Sequence, residues 1–168
     1  RLQHIGSTVL AGASVGLLEA KKEVARFGEL TARMSGFARK LINDPGKKDR
    51  SKMYKKIHKY EEMTDRFEVE IAEFLEKVAK NEMSEQSSIQ VRSMLSIAND
   101  LERIGDIFYQ MSKGLERKDE NKVYFEPKQR ENINSMLDLV DNAFKVMNEN
   151  LNSGYGQISI EKARDAER

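Results

Sequence analysis

An apolar seam at alternating spacings of three and four residues runs through Leu10, Ala13, Leu17, Ala20, Val24, Phe27, Thr31, Met34, Ala38 and Leu41. A period between 3.5 and 3.6 held over that length is met by one long α-helix with a single buried face. Asn43, Asp44, Pro45 and Gly46 end it, because proline disfavours helix at the residue before it and glycine supplies the turn. The only other proline, Pro127, stands where a first-turn proline belongs, so neither one interrupts a helix.

The same period recurs three more times. Ile57, Tyr60, Thr64, Phe67, Ile71, Phe74 and Val78 form a second seam, and Met94, Ala98, Leu101, Gly105, Phe108 and Leu115 a third, with Ser84 as the cap candidate before it and Ser112 interrupting its polarity. Ile133, Leu137, Val140, Phe144, Met147 and Leu151 form a fourth. After Gly154 and Gly156, Ser159 caps a short fifth pattern that runs to the last residue. The expected helices are about 6–43, 51–80, 85–117 and 127–152, with a truncated one from about 159. No strand-like alternation persists, so the fold class is all-α: long helices with short connections, packed antiparallel as a left-handed bundle.

Composition removes several function classes. The 168 residues contain no cysteine, which excludes disulfides, thiolate zinc sites and cysteine nucleophiles; a metal here must take oxygen or imidazole ligands. Lys+Arg 29 against Asp+Glu 28 leaves a formal net charge of +1, which gives no global argument for nucleic acid. The apolar stretch Val9 to Leu18 is about half the ~20 residues of a membrane span. The chain opens on Arg1 and closes at Arg168 inside a helical pattern, so it reads as a piece of a longer polypeptide.

One position after each seam residue, the second helix carries His58, Glu61, Asp65, Glu68 and Ala72, and the third carries Leu95, Asn99, Glu102, Asp106 and Tyr109. Each stripe holds a Glu-x-x-x-Asp pair, and residues i and i+4 lie one above the other on a helix face. Antiparallel packing would bring stripes displaced equally from their seams into one region. Clustered carboxylates repel and resist ionisation unless a cation offsets them. Oxygen donors suit magnesium, calcium, manganese or iron, and His58 would add one nitrogen. In a chain that is 34% charged, the alternative is a solvated helix face. Asn134, Asp138 and Asp141 on the fourth helix are read as surface; Glu19 and Glu23, just before the first seam, offer a third wall for a metal site, with salt bridges to Lys22 and Arg26 the favoured use.

ANDLERIGDIFYQMSK, which contains Glu102, Gly105 and Asp106, closely resembles the signature third helix of the PhoU family of phosphate regulatory proteins, and YEEMTDRFEVEIAEFL resembles the same family's second helix. The resemblance implies three-helix repeats whose Glu/Asp-x-x-x-Asp motifs hold metal, with Glu61, Asp65, Glu102 and Asp106 as ligands and Asn99 and His58 as further candidates. The implied metal is iron first, then manganese, zinc or magnesium. Residues 1–122 would form the first repeat and 123–168 the start of a second.

The opening LLEAKKEVARFGELTARM is similar to PhoU-like domains that follow the membrane part of bacterial sodium/phosphate cotransporters. That implies a domain at the cytoplasmic face of the inner membrane, with the membrane-embedded transporter portion or a phosphate transporter as partner and inorganic phosphate as a further ligand. An incomplete second repeat leaves an apolar seam uncovered, so a homo-oligomer is expected.

Other classes find less support. A ferritin-like di-iron oxidase needs Glu-x-x-His on two helices, and neither His4 nor His58 follows a glutamate by three. No P-loop, dinucleotide glycine pattern or serine-histidine-acid set is present, so no enzyme activity is expected. The clean seam alone would also suit a metal-free helical interaction module. The run Lys47, Lys48, Arg50, Lys52, Lys55 and Lys56 encloses Asp49 and offers Tyr54 as its one aromatic, which reads as a solvated loop or a contact to lipid headgroups, not a nucleic-acid site.

Overall fold

The structure, a computed structural model, describes residue 2 and residues 12–43, 46–153 and 160–167. These form five helices and no strand among the described residues: α1 (Ala13–Ile42), α2 (Lys47–Ala79), α3 (Glu85–Glu120), α4 (Pro127–Asn152) and α5 (Ile160–Glu167). The all-α class is as the seams require. The part of α1 expected before residue 12, Pro45, Gly154, Gly156 and the Ser159 cap lie outside the described residues.

Helices α1, α2 and α3 pack against one another, α4 lies on α1, and α5 lies on α4. Side-chain pairs fix the directions. Gly16 meets Val78 and Phe27 meets Phe67 at 5.4 Å, so α1 and α2 are antiparallel. Tyr54 meets Asp119, and Glu68 meets Asn99, so α2 and α3 are antiparallel as well. The seams, with Leu75 beside the second, supply the core: Leu17, Val24, Phe27, Phe67, Ile71, Leu75 and Leu101 fill one end, and Met34, Leu41, Ile57, Phe108 and Leu115 the other. Each such side chain removed from water contributes about 1.5–3 kcal/mol.

Two expectations need correction. The basic run is not a loop, because α2 begins at Lys47. The carbonyl of Gly46 accepts from the amides of Asp49 at 2.8 Å and Arg50 at 3.0 Å, and Met53, 6% exposed, extends the seam back by a turn. On α4, Leu137 and Phe144 are buried, but Val140, expected in the same seam, is 38% exposed. The helix is turned so that its acidic stripe reaches α1. Ser35 Oγ donates to Asp141 at 2.5 Å, Arg39 pairs with Asp141 at 2.6 Å and Asp138 at 2.9 Å, and the Asn43 and Asn134 amides bond each other. Those residues keep much of their exposure yet tie α4 down. Gly28 permits the approach, since a Cβ there would lie 2.6 Å from Asn148 Oδ1 and 2.9 Å from Leu151 Cδ1.

Other local signals act as read. Ser84 caps α3 by accepting from the Ser87 amide at 3.1 Å, and Pro127 opens α4 behind a Glu126–Gln129 capping box that the reading above does not anticipate. No helix among the described residues is long and apolar enough to cross a membrane.

Candidate metal centre

The acidic stripes meet where α2 and α3 come closest. Thr64 and Gly105 face each other in the two seams, and a Cβ at Gly105 would lie 2.7 Å from Thr64 Oγ1 and 3.1 Å from Thr64 Cβ. Only a residue without a side chain allows that spacing. Thr64 is fully buried, and its hydroxyl donates to the Glu61 carbonyl at 2.7 Å, so it needs no partner from α3. One residue beyond each of these positions stand Asp65 and Asp106, and the close backbone approach therefore carries the two carboxylates together.

Glu61, Asp65 and Asp106 each place one carboxylate oxygen within 4.8 Å of the other two. Three oxygens at that separation, from two helices, can share a single cation. Glu102 borders the group. Its carboxyl is raised by burial and by the charges of Asp106, Glu68 and Asp65, and a side-chain hydrogen bond with Asp106 acts in the same direction. Burial also raises the Glu61 carboxyl, with Asp65 adding to the rise and His58 opposing it. The Asp65 carboxyl is raised by burial, then by Asp106 and Glu68. Carboxyls that resist ionisation because they are part-buried and face like charges are the condition a bound cation relieves.

The remaining candidates sit at the edge. Asn99 donates its amide to Glu68 Oε1 at 3.1 Å, so it fixes a neighbouring carboxylate and stands outside the three-oxygen group. His58 Nδ1 lies 3.6 Å from Glu61 Oε2 and its Nε2 3.8 Å from Glu62 Oε1, with the ring stacked on Tyr109 at 5.6 Å and 56% exposed. The histidine flanks the site and supplies positive potential when protonated.

Glu68 is the residue that spacing leaves out of the ligand set, although it stands on the same stripe three residues after Asp65. The second omission is the Thr64–Gly105 contact, whose signal was a glycine in a seam of large residues. Glu23 on α1 is fully buried, and its carboxylate pairs with Arg26 at 3.2 Å, the guanidinium lying over Phe67 at 5.0 Å. That is the salt-bridge role expected of it.

Neither the curated proteins nor the solved structures contain a significant match to the chain. The family model described as PhoU domain does match, over residues 24–114, which takes in all of α2 and every carboxylate of the group. With just over half of the 168 residues matched, the chain belongs to the PhoU domain family.

Proposed function

We propose that this chain is a non-catalytic regulatory domain of phosphate homeostasis that holds a metal ion between α2 and α3. The observation that carries the metal reading is the convergence of Glu61, Asp65 and Asp106 within 4.8 Å of one another beside Glu102. The donor set is compatible with the ions the resemblance implies: all-carboxylate oxygen suits magnesium, manganese or iron, and zinc, which favours nitrogen or sulfur ligands, less well. A bound ion would offset the crowded negative charge and present a Lewis-acidic centre to an oxyanion such as inorganic phosphate. Asn99 and Glu68 then hold the rim, and Thr64 with Gly105 fixes the spacing of the two helices.

The reading extends to context. The similarity of residues 17–34 to the PhoU-like domains of sodium/phosphate cotransporters supports a domain at the cytoplasmic face of the inner membrane, acting on a membrane-embedded transporter portion of the same or another chain. The exposed apolar residues of α4 support a homo-oligomer.

Elemental analysis of the purified protein, beside a Glu102→Ala/Asp106→Ala variant, tests the metal reading. Stoichiometric iron, manganese or zinc in the parent and none in a folded variant is the expected result. Parent protein that stays metal-free after incubation with ferrous or manganous salt and dialysis would leave the alternative, a metal-free helical interaction module. An Asp106→Ala transporter strain that still responds normally to phosphate would separate the regulatory role from the metal.

A further inference from the structure

The first three turns of α2 carry a charge pattern that the fold does not require. Seven basic residues and one acid, Asp49, fall between Lys47 and Lys59, while the whole chain is net +1, so the remainder is net acidic. Lys48, Lys52, Lys55 and Lys59 recur at spacings of four, three and four, which places them on one stripe, and all four are exposed. At 1.5 Å per residue the stripe is about 16 Å long.

This arrangement works against the helix that bears it. Cations in the first turn oppose the helix dipole, and the Lys48–Lys52 and Lys55–Lys59 pairs are like charges at i and i+4. No ion pair among the described residues offsets these four lysines; Asp49 lies beside the first of them and Glu62 one step beyond the last. Of the run's other basic residues, Arg50 and Lys56 are used inward, and Lys47 is exposed. Arg50 Nε reaches Asp119 at 3.5 Å, and Lys56 lies over the Phe37 ring at 5.1 Å. Tyr54, the one aromatic of the run, donates its hydroxyl to Asp119 at 2.7 Å and is turned away as a stacking platform.

We propose that this lysine stripe is a docking surface for an anionic lipid bilayer. Its charge is complementary to such a surface, and what it lacks decides the class of partner. Base recognition uses exposed aromatic faces or the planar fork of arginine, and here both are engaged elsewhere. Flexible ammonium groups along an open helix face suit a diffuse field of phosphate headgroups, where each lysine adds independently. The inference does not depend on the carboxylate group, which begins at Glu61, about half a turn beyond Lys59.

Co-sedimentation with vesicles of phosphatidylcholine alone, and with about a third phosphatidylglycerol, tests it on the whole chain. Binding is expected to the anionic vesicles only, and to vanish as salt shortens the Debye length. A Lys48→Gln/Lys52→Gln/Lys55→Gln/Lys59→Gln variant of unchanged helicity should lose roughly a hundredfold or more in partitioning. The same four positions changed to arginine should retain it. Equal partitioning to both vesicle types, salt-insensitive binding, or an undiminished glutamine variant would each overturn the proposal. A duplex oligonucleotide that outcompetes the vesicles at the same salt would reassign the stripe to nucleic acid. Lipid and salt dependence are read on the parent protein, so the test stands even where the fourfold variant fails to fold.

Discussion

Gly105 decides how far apart the carboxylates of α2 and α3 stand. Replacing it by alanine places a methyl 2.7 Å from the Thr64 hydroxyl and 3.1 Å from both Thr64 carbons, and a buried β-branched side chain has no free rotamer to retreat into. The helices must part. Alanine regains about 1 kcal/mol of helix propensity, and overpacking in a tight core costs about 1–3 kcal/mol. Gly105→Ala should therefore lower stability modestly and, on the metal reading proposed above, weaken metal retention severely, though no donor is removed. Gly114→Ala on the same helix, where nothing lies within 4 Å, serves as the control and should be neutral or stabilising. Denaturant melts and metal analysis of the two variants check this, and equal metal content in both would remove Gly105 from the argument.

The residue scale also shows how much of the site could be read beforehand. Two i, i+4 acidic pairs, each one step off its seam, specify azimuth around each helix, and that was enough to nominate Glu61, Asp65, Glu102 and Asp106. The axial register between two helices is set by close contacts such as Thr64 against Gly105, and no periodicity within one helix contains it. Hence Glu102 stands beside the three-oxygen group and Asn99 pairs with Glu68.

Among the elements, the ends were less legible than the middles. Four long seams gave the helices and their order, but the start of α2 depended on Met53 packing into the core, a tertiary fact that overrides a run of lysines at a helix N-terminus. That start is held by a clamp at the far end of α3. Asp119 accepts from the Tyr54 hydroxyl at 2.7 Å and from Lys118 at 2.9 Å, with Arg50 Nε at 3.5 Å. Burial alone would raise its carboxyl, yet the tyrosine hydroxyl and the two cations hold it below the ordinary value of 3.8. A carboxylate depressed in the folded state contributes stability above its unfolded value, and that contribution is lost as pH falls through the folded value. The parent protein should thus lose stability through this clamp below about pH 4. Asp119→Asn should cost about 1.5–3 kcal/mol at neutral pH and flatten the acid limb of the curve. Chemical denaturation across pH measures both, and a variant as stable as the parent at pH 7 would show that the clamp is incidental.

At the scale of the whole molecule, α4 is the element whose partners are incomplete. Its inner edge is anchored to α1 by Ser35, Arg39 and Asn43, and Phe144 stacks on Phe108 of α3 at 6.2 Å. Its outer edge carries Met136 at 66% exposure, Leu139 at 65% and Val140 at 38%, and across a groove α3 offers Ile107 at 65%. Ile104, Met111, Ile133 and Ala143 floor that groove. The fourth seam could be read as apolar from the sequence; that α1 and α5 would leave Met136 and Leu139 uncovered could not, because α4's polar bonds to α1 set its rotation. Scattered apolar residues need no cover, but a contiguous ridge beside a matching groove does. Two copies related by a two-fold axis can each seat the ridge of α4 in the other's groove, the self-complementary arrangement an isologous dimer requires. The chain should accordingly self-associate in sedimentation equilibrium, with a Met136→Glu/Leu139→Glu variant shifted to monomer at unchanged helicity. The substituted positions are far exposed in the single chain, so folding should be little affected and the shift would report association alone. A parent protein that sediments as a monomer at every concentration, or a doubly charged variant that associates as strongly, would leave the apolar edge of α4 to a different chain.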